Sequence, residues 1–275
     1  MKLLKSIMMS ILILFFLTAC AEFQMATTKP SSSPVIDRIV GRGELVVGTA
    51  GNMPPMNMTT KDGDLIGFEI DLVKSIAMAM DVKYRFETMP FSELLSALQK
   101  GKVDMVLSQM TITPNRNLKV AFVGPYFISG KAFLTKIKTI AEATEASQLN
   151  SPETKLVAIK GSTSQAFAED LISKATLWTA KDYDEAVKMV INGEVHAMIA
   201  DYPICVVSVF RYPEAELLSV VTPLTYEPIG IAVPAGDPLL VNWLENFLAG
   251  LENTGMLDEL QEKWFSKGSW LKKLP

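Results

Sequence analysis

The chain has 275 residues, with 26 Lys+Arg against 30 Asp+Glu, one histidine and two cysteines, and a formal net charge of −4. Mild acidity with no basic cluster argues against nucleic acid as a partner. One histidine and no cysteine pair leave no donor set for a dedicated zinc site, so no metal and no cofactor is expected, and a Ser-His-Asp triad would depend on His196 alone.

Lys2 and Lys5 precede an apolar run from Ile7 to Leu17, which ends in Leu17-Thr18-Ala19-Cys20. A positive start, a short apolar stretch and small residues before a cut describe a secretory signal peptide over residues 1–19. An uncleaved anchor would need about twenty apolar residues to span a bilayer, and this run is shorter. The ending on cysteine resembles the lipobox of bacterial lipoproteins, which implies cleavage before Cys20 and a diacylglycerol on its sulfur. Loss of Lys2 and Lys5 leaves 24 basic against 30 acidic residues, a balance of −6. Residues 20–36, with Thr-Thr-Lys-Pro-Ser-Ser-Ser-Pro, are too polar and Pro/Ser-rich to pack and are expected as a tether. With Cys20 acylated, Cys205 is left as a lone thiol within the apolar Ile204–Val209 run, where a buried structural role is expected.

From residue 44 short apolar runs alternate with helical periods. Leu45–Gly48 reads as a strand and Glu69–Met80 as a helix with Ile70, Val73, Ile76, Ala77 and Met80 on one face. Lys83–Thr88 alternates as a strand. Ser92 is expected to cap a helix that buries Leu94, Leu95 and Leu98 and stops at Gly101; Val103–Leu107 follows as a strand buried on both faces. The rhythm restarts at Leu156–Ile159. Ser162 and Gln165 form a capping-box pattern at the next helix start. Another helix carries Ala186, Val187, Val190 and Ile191 and stops at Gly193, before a buried strand over Val195–Ala200 that holds His196. Asp237-Pro238 reads as an N-cap and first helical residue, and a last helix covers about 255–265. Alternation of this kind implies mainly parallel sheets flanked by helices, an α/β class.

The two halves echo each other. Gly101-Lys102-Val103-Asp104-Met105-Val106-Leu107 aligns with Gly193-Glu194-Val195-His196-Ala197-Met198-Ile199, each a helix stop, a turn and a buried strand. Two lobes are expected, each offering strand C-termini where open sheets bind ligands. Thr111-Ile112-Thr113-Pro114-Asn115-Arg116 follows the first of these strands. Thr113 before Pro114 is a helix start, so Arg116 stands in a first turn beside free backbone N–H groups, a setting that suits a carboxylate.

These segments, with Leu65–Leu72, the run Leu98–Val106 and the Lys263-Trp264-Phe265 ending, resemble the bacterial extracellular solute-binding proteins of family 3, which deliver amino acids to ABC importers. The resemblance covers residues 37–266. It implies the two-lobe periplasmic binding protein fold of type II, each lobe a mainly parallel sheet flanked by helices, with two hinge strands. Lobe 1 would hold 37–130 plus 230–275 and lobe 2 131–229. Arg116 matches the arginine that pairs with the ligand carboxylate, and Thr111 a hydroxyl residue that assists it. Ser108 and Gln109 match positions that supply a backbone carbonyl to the α-ammonium and side-chain contacts. Across the cleft, Ser162 and Thr163 open a helix at which Thr163 matches a second backbone N–H donor, and Asp201 matches the acid that accepts the ammonium.

The side-chain pocket departs from the family pattern. Ala50 stands where binders of cationic amino acids tend to carry Asp, and Met53 and Met56 stand where aromatic rings often stack. Phe91 remains as an aromatic wall. Thioethers beside one ring make an adaptable apolar pocket, so a neutral amino acid is expected. The function implied is that of a monomeric lipoprotein, anchored through Cys20 to the membrane and facing the periplasm or cell exterior, which hands its ligand to an ABC permease. The alternatives are a cyclohexadienyl dehydratase-like enzyme in the same cleft, with Glu227 or Asp201 as acid, or a binder of carboxylates that are not amino acids; no enzyme is expected. Cys20→Ser should leave the protein without lipid, moving it from the detergent to the aqueous phase in Triton X-114 partitioning; partitioning equal to wild type would contradict the anchor.

Overall fold

The computed structural model describes residues 33–220 and 222–275. The expected signal peptide, Cys20 and most of the expected tether lie outside the described residues. Two five-stranded mixed sheets dominate the fold. The first has the order β5-β1-β6-β13-β7, built from β1 (Glu44–Thr49), β5 (Lys83–Thr88), β6 (Met105–Val106), β7 (Ala121–Ser129) and β13 (Glu227–Val233). The second has the order β10-β9-β11-β8-β12, built from β8 (Lys131–Thr135), β9 (Lys155–Ile159), β10 (Thr176–Ala180), β11 (Ala197–Asp201) and β12 (Leu218–Ser219). A small third sheet joins β2 (Asn52–Met53), β3 (Asn57–Thr59) and β4 (Leu65–Ile66).

The two large sheets share one plan. In each, the second strand pairs in parallel with both its neighbours, β1 with β5 and β6, and β9 with β10 and β11. An antiparallel strand then follows, β13 against β6 and β8 against β11. The echo seen in the sequence therefore has a structural counterpart: β6 and β11 hold the third place in their sheets, and each follows a glycine turned left-handed, Gly101 at φ 68° and Gly193 at φ 72°.

Period-two alternation explains how these strands are buried on both faces. Leu45 and Val47 enter one apolar cluster and Val46 the other; Met105 and Val106 divide the same way, as do Val233 and Ala232. One cluster lies under the helices Pro34–Arg42, Phe68–Ala79 and Pro238–Asn253. The other runs without a break from Val46, Phe91 and Leu94 into Val157, Ile199 and Ile204 of the second lobe. The two lobes are thus in contact across the cleft.

Several expectations need adjustment. Ser33–Ile36, placed in the tether, belong to the fold: Pro34 starts a helix whose Val35 and Ile39 are buried. Ser92 is no cap; it lies exposed in a 3₁₀ turn, Phe91–Glu93, that closes onto the Pro90 carbonyl, and Leu95 is only half-buried. His196 sits just before β11 instead of within it, its Nδ1 accepting from the Lys155 N–H at 3.1 Å. Met56 is not at the pocket; it is wholly buried in the core with Phe68. Cys205 is buried as expected, and burial pushes its thiol pKa up.

Asp237 ties the beginning of the folded chain to its end. Its Oδ1 accepts from the Leu240 N–H at 3.0 Å, capping Pro238–Asn253, and from Ser33 Oγ at 2.8 Å. Its Oδ2 accepts from the Val35 N–H at 2.8 Å, so one carboxylate serves two helix N-termini. Burial pushes its pKa up, but the hydrogen bonds from Leu240, Ser33, Val35 and Ile36 outweigh that and hold it below the ordinary carboxylate value. Asp237→Ala should lower unfolding stability by about 2–4 kcal/mol, the sum of a lost cap and lost charge-assisted bonds. Because the folded pKa is lowered, the stability Asp237 adds is complete above its unfolded pKa of about 3.9 and disappears as pH falls through the folded value. Urea denaturation of both proteins at several pH values checks this: the gap between them should close in acid, and a gap independent of pH would contradict it.

Candidate ligand-binding site

The C-terminal ends of the parallel strands of both sheets meet around a small pocket in the cleft. Met53, Phe91, Gln109 and Thr111 line it from the first lobe, and Ser162, Thr163 and Asp201 from the second. Seven of the nine residues expected from sequence therefore line one pocket. Arg116 stands close by, and Ser108 lies behind the wall.

Arg116 is set by its own turn. Thr113 caps the helix Pro114–Asn117 by accepting from the Arg116 N–H, as the Thr-Pro pair predicts. Its Nη1 donates to the Thr111 carbonyl at 2.8 Å, and its Nη2 reaches across the cleft to the Gly161 carbonyl at 3.2 Å. The guanidinium lies 5.6 Å from the centre of the Phe91 ring, a cation–π distance. Thr111 Oγ1 also crosses the cleft, 3.3 Å from Thr163 Oγ1. Burial lowers the pKa of Arg116, opposed by the charges of Asp201 and Glu227.

On the opposite wall Ser162 Oγ accepts from the Gln165 N–H at 3.1 Å and caps the helix Thr163–Leu171. The capping box is not closed in its usual form. The Gln165 side chain accepts from the Gly161 N–H at 2.8 Å instead of from Ser162. Thr163 and Ser164, in the first turn of this helix, line the pocket.

Ser108 has a different role from the one expected of its hydroxyl. Its Oγ accepts from the Ala50 N–H at 2.9 Å and contacts Met53 Sδ at 3.7 Å, so it fixes the loop that carries Met53. Gln109 is the exceptional residue. Its φ is +50°, a left-handed backbone that costs a non-glycine residue roughly 1–2 kcal/mol. Both its Oε1 and its Nε2 are buried with no hydrogen-bond partner. Buried polar atoms without partners are rare, and each costs about 1–3 kcal/mol. Backbone strain and an unsatisfied amide at a pocket are features that cluster at binding sites.

Glu69 holds that arrangement. It is fully buried, accepting from the Gln109 N–H at 2.6 Å, from Asn57 Nδ2 at 2.6 Å and from the Tyr126 hydroxyl. Asn57 in turn accepts from the Gly51 N–H at 2.8 Å. Burial raises the pKa of Glu69 against the lowering effect of these donors.

Asp201 does not face the cleft unpaired. Lys131 Nζ lies 2.6 Å from its Oδ1 and 3.4 Å from Glu227 Oε2, and the lysine side chain is 1% exposed. Burial raises the pKa of Asp201, countered chiefly by Lys131. Lys131, Tyr183 and Ser164 also line the pocket, and the sequence reading missed all three. Lys131 could have been noticed as the one charge in the apolar run Lys131-Ala132-Phe133-Leu134; Tyr183 and Ser164 carry no comparable signal.

The profile of the bacterial extracellular solute-binding proteins, family 3, matches residues 45–267. The chain belongs to this family. A relative from Bacillus subtilis, the glutamine-binding protein of an ABC transporter, is 26% identical over 97% of this chain and 98% of its own. A binding component of an ABC transporter from Wolinella succinogenes, solved with lysine, is 38% identical, covers 84% of this chain and 100% of its own, and superposes with a TM-score of 0.80. An ancestral amino-acid-binding protein, described as a precursor of cyclohexadienyl dehydratase, is 36% identical over 84% of this chain and 99% of its own, with a TM-score of 0.76. As a solute-binding protein of family 3, the chain has the type II two-lobe fold and acts outside the cytoplasm as a binding protein, not an enzyme. Among the described residues no helix is long and apolar enough to cross a membrane.

Gln109→Gly removes the strain and the orphaned amide and adds the entropy of a glycine, about 0.5–1 kcal/mol. The ligand-free protein should gain about 1 kcal/mol or more in unfolding stability while losing ligand affinity. Thermal denaturation with calorimetric titration checks both; lower stability with unchanged affinity would contradict the assignment.

Proposed function

We propose that this protein captures an amino acid with an uncharged side chain between its lobes and passes it to the permease of an ABC importer. It does so as a monomer tethered through a lipid on Cys20. The observation that carries the reading is Asp201 in the pocket wall with the Arg116 guanidinium beside the pocket, over the Phe91 ring that lines it and bonded to the Thr111 carbonyl. A cation on one side and a carboxylate on the other complement the two ends of a zwitterion.

In this reading the ligand carboxylate lies on the Arg116 guanidinium, the Thr111 hydroxyl and the first-turn N–H groups at Thr163. The α-ammonium lies against Asp201, whose Oδ1 is shared with Lys131, and against the backbone at Ser108. Charge-assisted hydrogen bonds contribute about 1.5–3 kcal/mol each, so three or four reach the roughly −8 kcal/mol of micromolar binding. Met53 and Phe91 offer apolar surface to the side chain, and the unsatisfied Gln109 amide offers one donor and one acceptor. The named ligands of relatives, glutamine and lysine, bracket the choice between neutral and cationic side chains. The absence of an acid at Ala50 and the occupation of Asp201 by Lys131 favour the neutral one. The same ion pair disfavours proton chemistry in the cleft, since Asp201 and Glu227, the two acids a dehydratase could use, both face Lys131.

A thermal-shift screen against the common amino acids and related carboxylates should single out a neutral amino acid, which at a hundred times its Kd adds about 2.7 kcal/mol. Arg116→Ala should weaken that ligand by about 3 kcal/mol or more, because the buried carboxylate loses its strongest partner. Asp201→Asn should weaken amino acids and spare carboxylates without an α-ammonium. If Asp201→Asn leaves the best amino acid at wild-type affinity in calorimetry, the zwitterion reading fails in favour of a simple carboxylate.

A further inference from the structure

Lys131 has an unusual position. It is the first residue of β8, directly after the chain passes from one sheet to the other at Gly130, and its side chain is 1% exposed. Its backbone N–H donates to Thr225 Oγ1 at 2.9 Å, and Thr225 Oγ1 donates to Glu227 Oε1 at 3.1 Å, so backbone and side chain are both fixed. From there the ammonium faces Asp201 and Glu227 and forms part of the pocket wall.

Four charges act on this pocket: Arg116 and Lys131 are positive, Asp201 and Glu227 negative, and they influence one another through the protein. They balance. A zwitterion adds no net charge to them, whereas a side chain with its own charge leaves an excess in a site of low dielectric, where like charges repel strongly. We propose that Lys131 is the specificity-determining residue of the pocket, a built-in cation that completes its charge balance beside Asp201 and Glu227, so that a ligand side chain with a charge of its own is disfavoured. The inference rests on the amino-acid reading of the site and adds to it the reason for excluding lysine and arginine. An acidic side chain gains little, because the Lys131 ammonium is already engaged by two carboxylates. An uncharged side chain meets the Gln109 amide, Met53 and Phe91 at no electrostatic cost.

The test is calorimetric titration of the detergent-solubilised full chain with glutamine, leucine, lysine, arginine, glutamate and aspartate, using wild type, Lys131→Met and Glu227→Gln. Lys131→Met leaves the pocket one charge negative and should shift the affinity ratio toward lysine or arginine by about tenfold or more. Glu227→Gln leaves it one charge positive and should shift the ratio toward glutamate or aspartate. A Lys131→Met protein with the wild-type order of preference would overturn the inference. If Lys131→Met does not fold, Glu227→Gln decides: no movement toward acidic ligands overturns it equally. A wild-type preference for lysine or arginine would overturn it while leaving the amino-acid reading intact, and a wild type that binds none of the panel would overturn both.

Discussion

The two passages of the chain between the sheets lie backbone against backbone, and this contact fixes where the groups of the site can stand. A Cβ at Gly130 would sit 2.2 Å from the Thr225 carbonyl oxygen, closer than any side chain permits. At Gly230, just inside the first sheet, a Cβ would meet Ile112 at 2.7 Å and the Val123 carbonyl at 2.9 Å. The Gly130 carbonyl accepts from the Tyr202 N–H and the Lys131 carbonyl from the Leu224 N–H, each at 2.8 Å, so the outgoing passage is bonded to both its neighbours. Only with the passages this close do Lys131 on one, Glu227 on the other and Asp201 at the end of β11 meet as a single charge cluster. Substituting Gly130 would separate the strands and the ion pair together.

On the first lobe the corresponding constraint is Glu69. One buried carboxylate draws together the Gln109 turn, the loop around Gly51 through Asn57, and Tyr126. A carboxylate removed from water is costly unless its oxygens are satisfied, and here the satisfying donors come from segments that shape the cleft. The same bonds hold Gln109 in a backbone conformation it would otherwise leave. Stability gained at Glu69 thus supports strain at Gln109, which is where a binding site concentrates it.

Much of this was legible in the sequence because it depends on local rules. Thr113-Pro114 announced the turn that presents Arg116, Ser162 the helix start across the cleft, and Asp237-Pro238 the long C-terminal helix; all three side chains accept the cap bonds expected of them. The echo around Gly101 and Gly193 foreshadowed two sheets with one strand order. What was not legible depends on distant partners. Ser33 looked like tether because its anchor, Asp237, is some two hundred residues away. Asp201 looked unpaired because Lys131 lies on another strand. Glu69 looked like an ordinary first-turn acid of an amphipathic helix, and its three donors become visible only in the fold. Nothing local to Ser108 shows that its hydroxyl is taken by the Ala50 N–H.

In the proposed binding mode, groups from opposite lobes read both ends of one amino acid across the cleft. The most direct measurement is a crystal structure of the protein with its best amino-acid ligand from the screen. The expected result is the ligand carboxylate on Arg116, its α-ammonium within hydrogen-bond distance of Asp201, and its side chain between Met53, Phe91 and Gln109, with Lys131 still on Asp201. A ligand whose carboxylate lies away from Arg116, or whose side chain carries a cation that displaces Lys131 from Asp201, would contradict it.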